Sequence, residues 1–295
     1  MGQAAERKRR FFAQHPRCCF CGGEALATTQ DHWPPRSFFV GRIWPDEHVF
    51  PACGQCNSAS RVHEMLFAMI CRIRFSPALV GVSEEDAQRE WAKNARGVAH
   101  VLPETYRSML MSVTEKRSQA RALGIGPGPG ETFRDLPILS IDHPEFYEAS
   151  KTVARKLFCA LYYMRTGRPL TSRGGIVFLW TTNAHGMDQL LSSENLRPLL
   201  AQFPPIQRGN SMLNDQFACA YTLIDADPPS ALFAVQFNDA VAMIGAVFGD
   251  ISGVGVFDQI PDIENHQVFP YRWTDSRDAS KNWPTVRRQT LADQP

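Results

Sequence analysis

The sequence lacks a strong net charge, because its 31 lysines and arginines nearly balance 30 aspartates and glutamates and leave a formal charge of +1 at pH 7. A nearly neutral chain has no global positive field that would attract nucleic acid, so any contact with phosphate has to be local. Positive charge is concentrated near the N-terminus, at Arg7, Lys8, Arg9, Arg10 and Arg17. Such a run is often only a solvated helix face, but acidic residues are sparser in the stretch that follows, which favours contact with phosphate.

The sequence also lacks an apolar run of transmembrane length, and its charged first residues lack the apolar core of a signal peptide. We therefore expect no membrane partner and a cytoplasmic location. Thiols stay reduced in that compartment, so paired cysteines are predicted to bind a metal rather than to form disulfides. The glycine-rich segment 124–130 follows no strand, and its prolines remove backbone donors, so we interpret it as a linker rather than a phosphate-binding loop.

The most informative stretch of the chain contains two C-x-x-C pairs. They supply four thiolates, from Cys18, Cys21, Cys53 and Cys56. Four soft thiolates match zinc in ligand type and number, so the pattern predicts a tetrahedral structural zinc. Cys19 and Cys21 form an alternative pair, but C-x-x-C is the usual spacing. A site with four protein ligands is closed to substrate, so this zinc is not expected to be the catalytic metal.

Three polar residues accompany the cysteine pairs: Asp31 and His32 lie between them, and Asn57 follows the last cysteine. Phosphodiester hydrolysis needs an activated water and a cation on the scissile phosphate. An imidazole suits the first task, and carboxylate or amide oxygens suit Mg²⁺ or Mn²⁺. Adjacent strand residues point to opposite faces, so Asp31 and His32 can share a site only if the strand twists or bulges near Pro34.

In chain order, the patterns C-x-x-C, D-H-x-P-P and P-x-C-x-x-C-N resemble the HNH endonucleases of the ββα-metal type. The closest likeness is to the zinc-bound subgroup that includes phage junction-resolving endonucleases, and it covers roughly residues 15–75, about a quarter of the chain. The resemblance implies that His32 is the general base, that Asp31 and Asn57 hold a catalytic Mg²⁺ or Mn²⁺, and that the four cysteines hold zinc. It also implies a single-metal attack by water with inversion at phosphorus, and DNA is the expected substrate.

A third signature residue on the following helix is not obvious from the pattern. His63 and Glu64 are candidates, but six or seven residues of helix separate them from Asn57 by about 9–10 Å along the axis. Ser60 and Arg61 are nearer, and Arg61, together with Arg17, is predicted to bind the substrate phosphate.

The remaining pattern predicts an α+β protein with three parts: a zinc-stabilised ββα-metal (HNH) module over 1–75, a helical connector and linker over 76–135, and an antiparallel-sheet α+β domain over 136–295. The predicted helices are 5–14, one starting near Asn57, 83–97, 103–122, one behind the Asp142-His143-Pro144-Glu145 capping pattern, and 184–203. The predicted strands are 27–32, 48–52, 175–182, 217–224, 231–237 and 241–248, with edge strands at 254–257 and 267–273.

Two alternatives to a self-sufficient nuclease remain open. The module could be a catalytically silent zinc-binding adaptor for nucleic acid or protein, or the C-terminal domain could bind a protein or small-molecule regulator that switches the nuclease on. Four aromatic residues could stack on bases, although we favour a role in the small core of the module; they are Trp33, Phe38, Phe39 and Trp44. Cys71, Cys159 and Cys219 are interpreted as core thiols.

Overall fold

The computed structural model describes residues 2–42, 48–73, 83–136, 138–182, 208–214, 216–238, 240–252 and 269–270. Its helices are α1 (Gln3–Gln14), α2 (Gly54–Ala59), α3 (Arg61–Cys71), α4 (Glu84–Val101), α5 (Pro103–Met109), α6 (Val113–Ala122) and α7 (Pro144–Thr166). Its strands are β1 (Thr29–His32), β2 (Val49–Ala52), β3 (Gly175–Thr182), β4 (Arg208–Asn214), β5 (Phe217–Ile224), β6 (Ser230–Phe237), β7 (Val241–Phe248) and β8 (Phe269–Pro270). The described part of the chain is thus a mixed α+β fold.

The N-terminal strands β1 and β2 pair antiparallel, with Asp31 opposite Phe50 and His32 opposite Val49. The pairing runs from residue 29 to residue 32 without a shift in register, so no bulge within β1 brings Asp31 and His32 to one face, and a shared site depends on a twist at the Pro34 end of the strand. The strand ends at His32, directly before Trp33-Pro34, whose peptide bond is cis.

The helix expected near Asn57 begins earlier, at Gly54, and a break at Ser60 divides it into α2 and α3. The second cysteine pair explains the early start of α2. The sulfur of Cys53 caps this helix by accepting a hydrogen bond from the amide of Cys56. Asn57 therefore lies inside α2, and its own amide donates to the carbonyl of Cys53 at 3.1 Å. The backbone amide of Asn57 is therefore not free to bind a phosphate.

The helix predicted over 103–122 is two helices, α5 and α6, because the chain becomes extended at Leu110. Ser112 and Glu115 then form a capping box that starts α6, and the S-x-x-E spacing of this box is visible in the sequence. The capping pattern before α7 is confirmed: His143 accepts the amide of Glu145, and Pro144 takes the first helical position.

The C-terminal sheet has six strands in the order β4-β5-β6-β7-β3-β8, and its described pairs are antiparallel. The predicted meander over β5, β6 and β7 is confirmed, and β8 lies within the predicted edge strand 267–273. Strand β4 was not predicted. Three of the predicted features lie outside the described residues: the helix over 184–203, the strand over 254–257 and Trp44.

Helix α7 packs across this sheet, and a glycine makes the close approach possible. Phe158 stacks on Phe233, with ring centroids 6.3 Å apart, and its ring also covers Gly245. A Cβ atom at Gly245 would lie 2.4 Å from that ring, closer than any real contact. The sequence therefore needs glycine here so that α7 can lie flat on the sheet.

One hydrophobic cluster runs from the cysteine pairs to the C-terminal sheet. Phe38 contacts Phe67 of α3 and Phe237 of β6, with centroid separations of 5.7 and 5.4 Å. Trp33, Phe38 and Phe39 are fully buried, so their predicted role in the core is confirmed. This cluster contains residues from both sides of the predicted domain boundaries at residues 75 and 135. The domain boundaries themselves stay a prediction. None of the helices in the described ranges is both long and apolar enough to cross a membrane.

Candidate metal centre and the adjoining charged site

The two C-x-x-C pairs converge as predicted. The sulfur atoms of Cys18, Cys21, Cys53 and Cys56 all lie within 4.8 Å of one another. Cys19 is not part of this cluster; it is fully buried, and that burial raises the pKa of its thiol well above the ordinary value. The cluster can hold a metal ion such as zinc, since four thiolates at this spacing suit tetrahedral coordination.

The local backbone is shaped to present these sulfurs. Gly22 and Gly23 have positive φ angles of 67° and 81°, which turn the chain sharply after Cys21. Backbone amides donate to three of the four sulfurs at 3.4–3.5 Å, an arrangement that stabilises thiolates. The pKa of the Cys21 thiol is lowered, first by its hydrogen bond with the Cys18 thiol, so a thiolate is readily available to start metal binding. The residues therefore fit a closed structural zinc site.

Asp31 lies beside this centre and is 8% exposed. One carboxylate oxygen, Oδ1, accepts a hydrogen bond from the backbone amide of His32 at 2.9 Å. The other, Oδ2, accepts from the indole nitrogen of Trp33 at 3.2 Å and from the ammonium of Lys156 at 2.7 Å. The Asp31 carboxylate is thus turned into the protein through Oδ2, while Oδ1 faces the backbone of His32.

Lys156 is the residue that sequence reasoning missed. It comes from α7 and is 1% exposed. Its ammonium donates to three acceptors, one for each of its protons: Asp31 Oδ2 at 2.7 Å, Ser60 Oγ at 2.8 Å and Glu64 Oε1 at 3.2 Å. Ser60 Oγ also donates to Glu64 Oε1. We call these four residues the Lys156 site.

The Lys156 ammonium also lies over two aromatic rings, 4.9 Å from the centroid of Phe20 and 4.7 Å from that of Trp33. Such contacts stabilise a cation that has been removed from water. The sequence held one signal for this site: Lys156 occurs three residues after Val153 and directly before Leu157, within the apolar stripe of α7. A charged residue on the buried side of a helix has to meet a partner.

His32, the predicted general base, is half-buried, and its ring contacts Arg36 rather than Lys156. Its Nε2 lies 3.2 Å from Nη2 of Arg36. Because a guanidinium can only donate, this contact requires the lone pair of Nε2 and hence a neutral imidazole. The pKa of His32 is lowered, first by burial and then by the positive charge of Arg36, with Asp31 acting in the opposite direction. The lowered pKa favours the unprotonated imidazole, which is the form that a general base needs.

The other predicted site residues lie near the protein surface. Asn57 is half-buried on α2, which packs against β1. Arg61 is exposed and begins α3. Arg17 is exposed, and its Nη1 donates to the carbonyl of Glu24 at 3.2 Å. These three side chains are near enough to solvent to meet a ligand.

The two candidates for a third signature residue behave differently. Glu64, which the helical rise separates from Asn57, meets Asp31 through the shared ammonium of Lys156. His63 instead pairs with Glu145 at the start of α7, where its Nε2 lies 3.5 Å from the carboxylate. Among the described residues, the buried Nδ1 atom of His63 has no hydrogen-bond partner. Helix α3 thus sends two neighbouring residues toward α7.

The remaining predicted cysteines are core thiols, as expected. Burial raises the pKa of Cys159 to about 12 and that of Cys219 to about 11. Burial also raises the pKa of Cys71 well above its ordinary value. Thiols with such high pKa values stay protonated and are poor metal ligands.

No family model matches this chain, and no curated protein or solved structure matches it either. The case for a function therefore rests on the geometry of the described residues and on the pattern that they form in the sequence.

Proposed function

We propose that this protein is a metal-dependent endonuclease of the HNH type that hydrolyses phosphodiester bonds, with DNA as its substrate. In this proposal His32 is the general base, Asp31 and Asn57 hold Mg²⁺ or Mn²⁺, and a structural zinc is bound by the four converging cysteines. A cytoplasmic location, where the four thiols stay reduced, is part of the same proposal.

The observation that carries the proposal is the convergence of the four sulfurs at the junction between an antiparallel strand pair and a helix. That junction places Asp31 and His32 at the end of β1 and Asn57 on α2, which packs against β1. The neutral imidazole of His32 supports the assignment of the base, since a protonated one could not accept a proton.

The proposed reaction uses His32 to remove a proton from water. The hydroxide attacks phosphorus, the bond from phosphorus to the leaving oxygen breaks, and the proton taken up by His32 passes through solvent to the leaving oxygen. A bound divalent cation supplies charge stabilisation at the phosphate. An incoming phosphate also attracts the Arg36 guanidinium, which would release the Nε2 lone pair of His32 that Arg36 now occupies.

Local positive charge supports nucleic acid as the substrate. Arg17 and Arg61, the predicted phosphate contacts, are both exposed. On α1, Arg9 and Arg10 share the carboxylate of Glu6, so the positive charge there is smaller than the sequence implied. Exposed guanidinium groups bind phosphate through paired hydrogen bonds, which fits a contact that is local rather than global.

The proposal is tested by nicking of supercoiled plasmid with Mg²⁺ or Mn²⁺. We expect His32→Ala to lower the cleavage rate by about 100-fold or more, because the general base is lost. His100→Ala is the matched control, since His100 is exposed at the end of α4 and far along the chain from the site. Wild-type protein without activity, or equal rates for the two variants, would contradict the proposal.

A catalytically silent zinc-binding adaptor is the second candidate, and one observation favours it. Asp31 Oδ2 already forms an ion pair with the buried ammonium of Lys156, so this carboxylate has a structural role whether or not it binds a second metal. An adaptor would bind DNA or a protein partner with the same affinity in the wild type and in His32→Ala, and neither would nick plasmid.

A further inference from the structure

The Lys156 site brings a helix of the C-terminal half into the region where the proposed catalytic cation would bind. Its ammonium is 2.7 Å from Oδ2 of Asp31, the residue proposed to hold that cation. Both groups are shielded from water, with side-chain exposures of 1% for Lys156 and 11% for Asp31. Charges in such surroundings interact strongly because solvent does not screen them.

The contacts divide the two oxygens of Asp31 between two tasks. Oδ2 is occupied by Lys156 and Trp33, whereas Oδ1 accepts only the backbone amide of His32 among the contacts described. A carboxylate oxygen has two lone pairs, so Oδ1 keeps capacity for one further ligand. Lys156 therefore excludes a divalent ion that both oxygens of Asp31 coordinate, and it permits one that Oδ1 alone coordinates.

The charge of the cluster also matters. Two carboxylates, from Asp31 and Glu64, surround one ammonium, which leaves a formal charge of −1 when both acids are ionised. Without the ammonium the same cluster would carry −2, and it would attract a divalent cation far more strongly. An ordinary structural ion pair would stabilise the fold in the same way, but its carboxylate would not also be a ligand of the divalent cation.

We propose that Lys156 is a built-in cation of the nuclease site, which holds Asp31 Oδ2 permanently and restricts the divalent ion to weak binding through Oδ1. This inference rests on the proposed function, because it takes Asp31 as a ligand of the divalent ion. Lys156 is a positioning residue, since it acts on the ion through Asp31. The same contact ties α7 and the sheet beneath it to the site.

The test is the affinity of the zinc-loaded full chain for Mn²⁺, measured from the electron paramagnetic resonance signal of free Mn²⁺. Lys156→Met keeps the length of the side chain and removes its charge, so we expect the Mn²⁺ dissociation constant to fall by about tenfold or more. Lys156→Arg keeps the charge and should leave the dissociation constant within about threefold of wild type. Adding Asp31→Asn to Lys156→Met should abolish the gain.

Two controls separate this effect from damage to the fold. Lys151→Met removes a lysine from the same helix that pairs with Glu148, and it should leave Mn²⁺ binding unchanged. Zinc content is measured in every sample, so that Mn²⁺ bound by the cysteines is not counted. If Lys156→Met does not fold, Lys156→Met with Glu64→Gln removes one carboxylate as well and restores the wild-type net charge of −1. It should still bind Mn²⁺ more tightly than wild type, because Oδ2 of Asp31 no longer accepts the ammonium.

Unchanged or weaker Mn²⁺ binding in the folded charge-removing variant would overturn the inference, and so would the absence of Mn²⁺ binding in all variants. Plasmid cleavage is scored separately. Cleavage by wild type together with unchanged Mn²⁺ affinities would leave the proposed function standing and remove the role of Lys156. Tighter binding in Lys156→Met without any cleavage would support the built-in cation and count against the nuclease.

Discussion

The cysteine cluster and the Lys156 site lie side by side, but they differ in the span of sequence that forms them. The four residues of the cysteine cluster lie between positions 18 and 56, and their C-x-x-C spacing alone identified them. The Lys156 site joins Asp31, Ser60 and Glu64 to a lysine that is 125 residues from Asp31. A local motif can be identified from its spacing, whereas a buried ion pair between distant segments depends on how the helices and sheets pack.

Contacts between distant segments also bear on the hypothesis that the C-terminal half regulates the proposed nuclease activity. Phe38 packs on Phe237, and the side chain of Gln216 both donates to and accepts from the backbone of Val40, at 2.9 and 2.7 Å. A fragment ending at residue 123 would expose these surfaces and would lack Lys156. Regulation by the C-terminal half is therefore better tested by substitutions in the full chain than by truncation.

The largest effect is expected from the cysteine cluster. Cys56→Ser removes one of four buried ligands, so we expect loss of the zinc and of more than about 5 kcal/mol of stability in the N-terminal region. Cys219→Ser makes the same change in β5, away from the cluster, and should keep one zinc per chain. Metal analysis and thermal unfolding measure both, and full zinc content in Cys56→Ser would contradict the assignment.

The Lys156 site should show the next largest effect. Lys156→Met leaves the buried carboxylate of Asp31 and the partly buried carboxylate of Glu64 without their cation, which is expected to cost about 3–5 kcal/mol of unfolding free energy. Asp31→Asn combined with Lys156→Met removes both charges of the shorter contact and should recover part of that loss. Urea unfolding of the two single variants and the double variant measures the coupling. Strictly additive losses would mean that the two side chains do not interact.

The packing of α7, the helix that carries Lys156, against the sheet should tolerate substitution better than the Lys156 site does. Gly245→Ala places a methyl group against the ring of Phe158, and the overpacking is expected to cost about 1–3 kcal/mol. Gly126→Ala is the matched control, since a Cβ there meets nothing within 4 Å and should change stability by less than about 0.5 kcal/mol. Equal melting temperatures of the two variants would contradict the close approach of α7.

The smallest effect concerns His32 and its neighbour. Burial and Arg36 both lower the pKa of His32, so Arg36→Gln should raise that pKa. A base with a higher pKa becomes protonated at a higher pH, so the acid limb of the cleavage profile should move to higher pH. Titration of His32 by nuclear magnetic resonance measures the shift directly. Arg89→Gln on α4 is the control, and an equal shift there would remove Arg36 as the cause.

Several elements were predictable because their causes are local. The C-x-x-C spacing identified the four converging thiols, and alternating or continuous apolar residues identified β5, β6 and β7. Boundaries were less accurate where a side chain acts on the backbone. The sulfur of Cys53 starts α2 three residues before Asn57, and the capping box at Ser112 divides a helix predicted to be continuous.

The sequence by itself determined the residues that repeat at short range: two cysteine knuckles, a strand pair between them and the apolar stripes that make α3 and α7. These depend on spacings of two to four residues, which the backbone geometry translates directly into faces and turns. Only the tertiary structure decided that Asp31 would face an ammonium rather than solvent. That choice depends on the angle at which α7 crosses α3 and the sheet, and packing of distant side chains sets that angle.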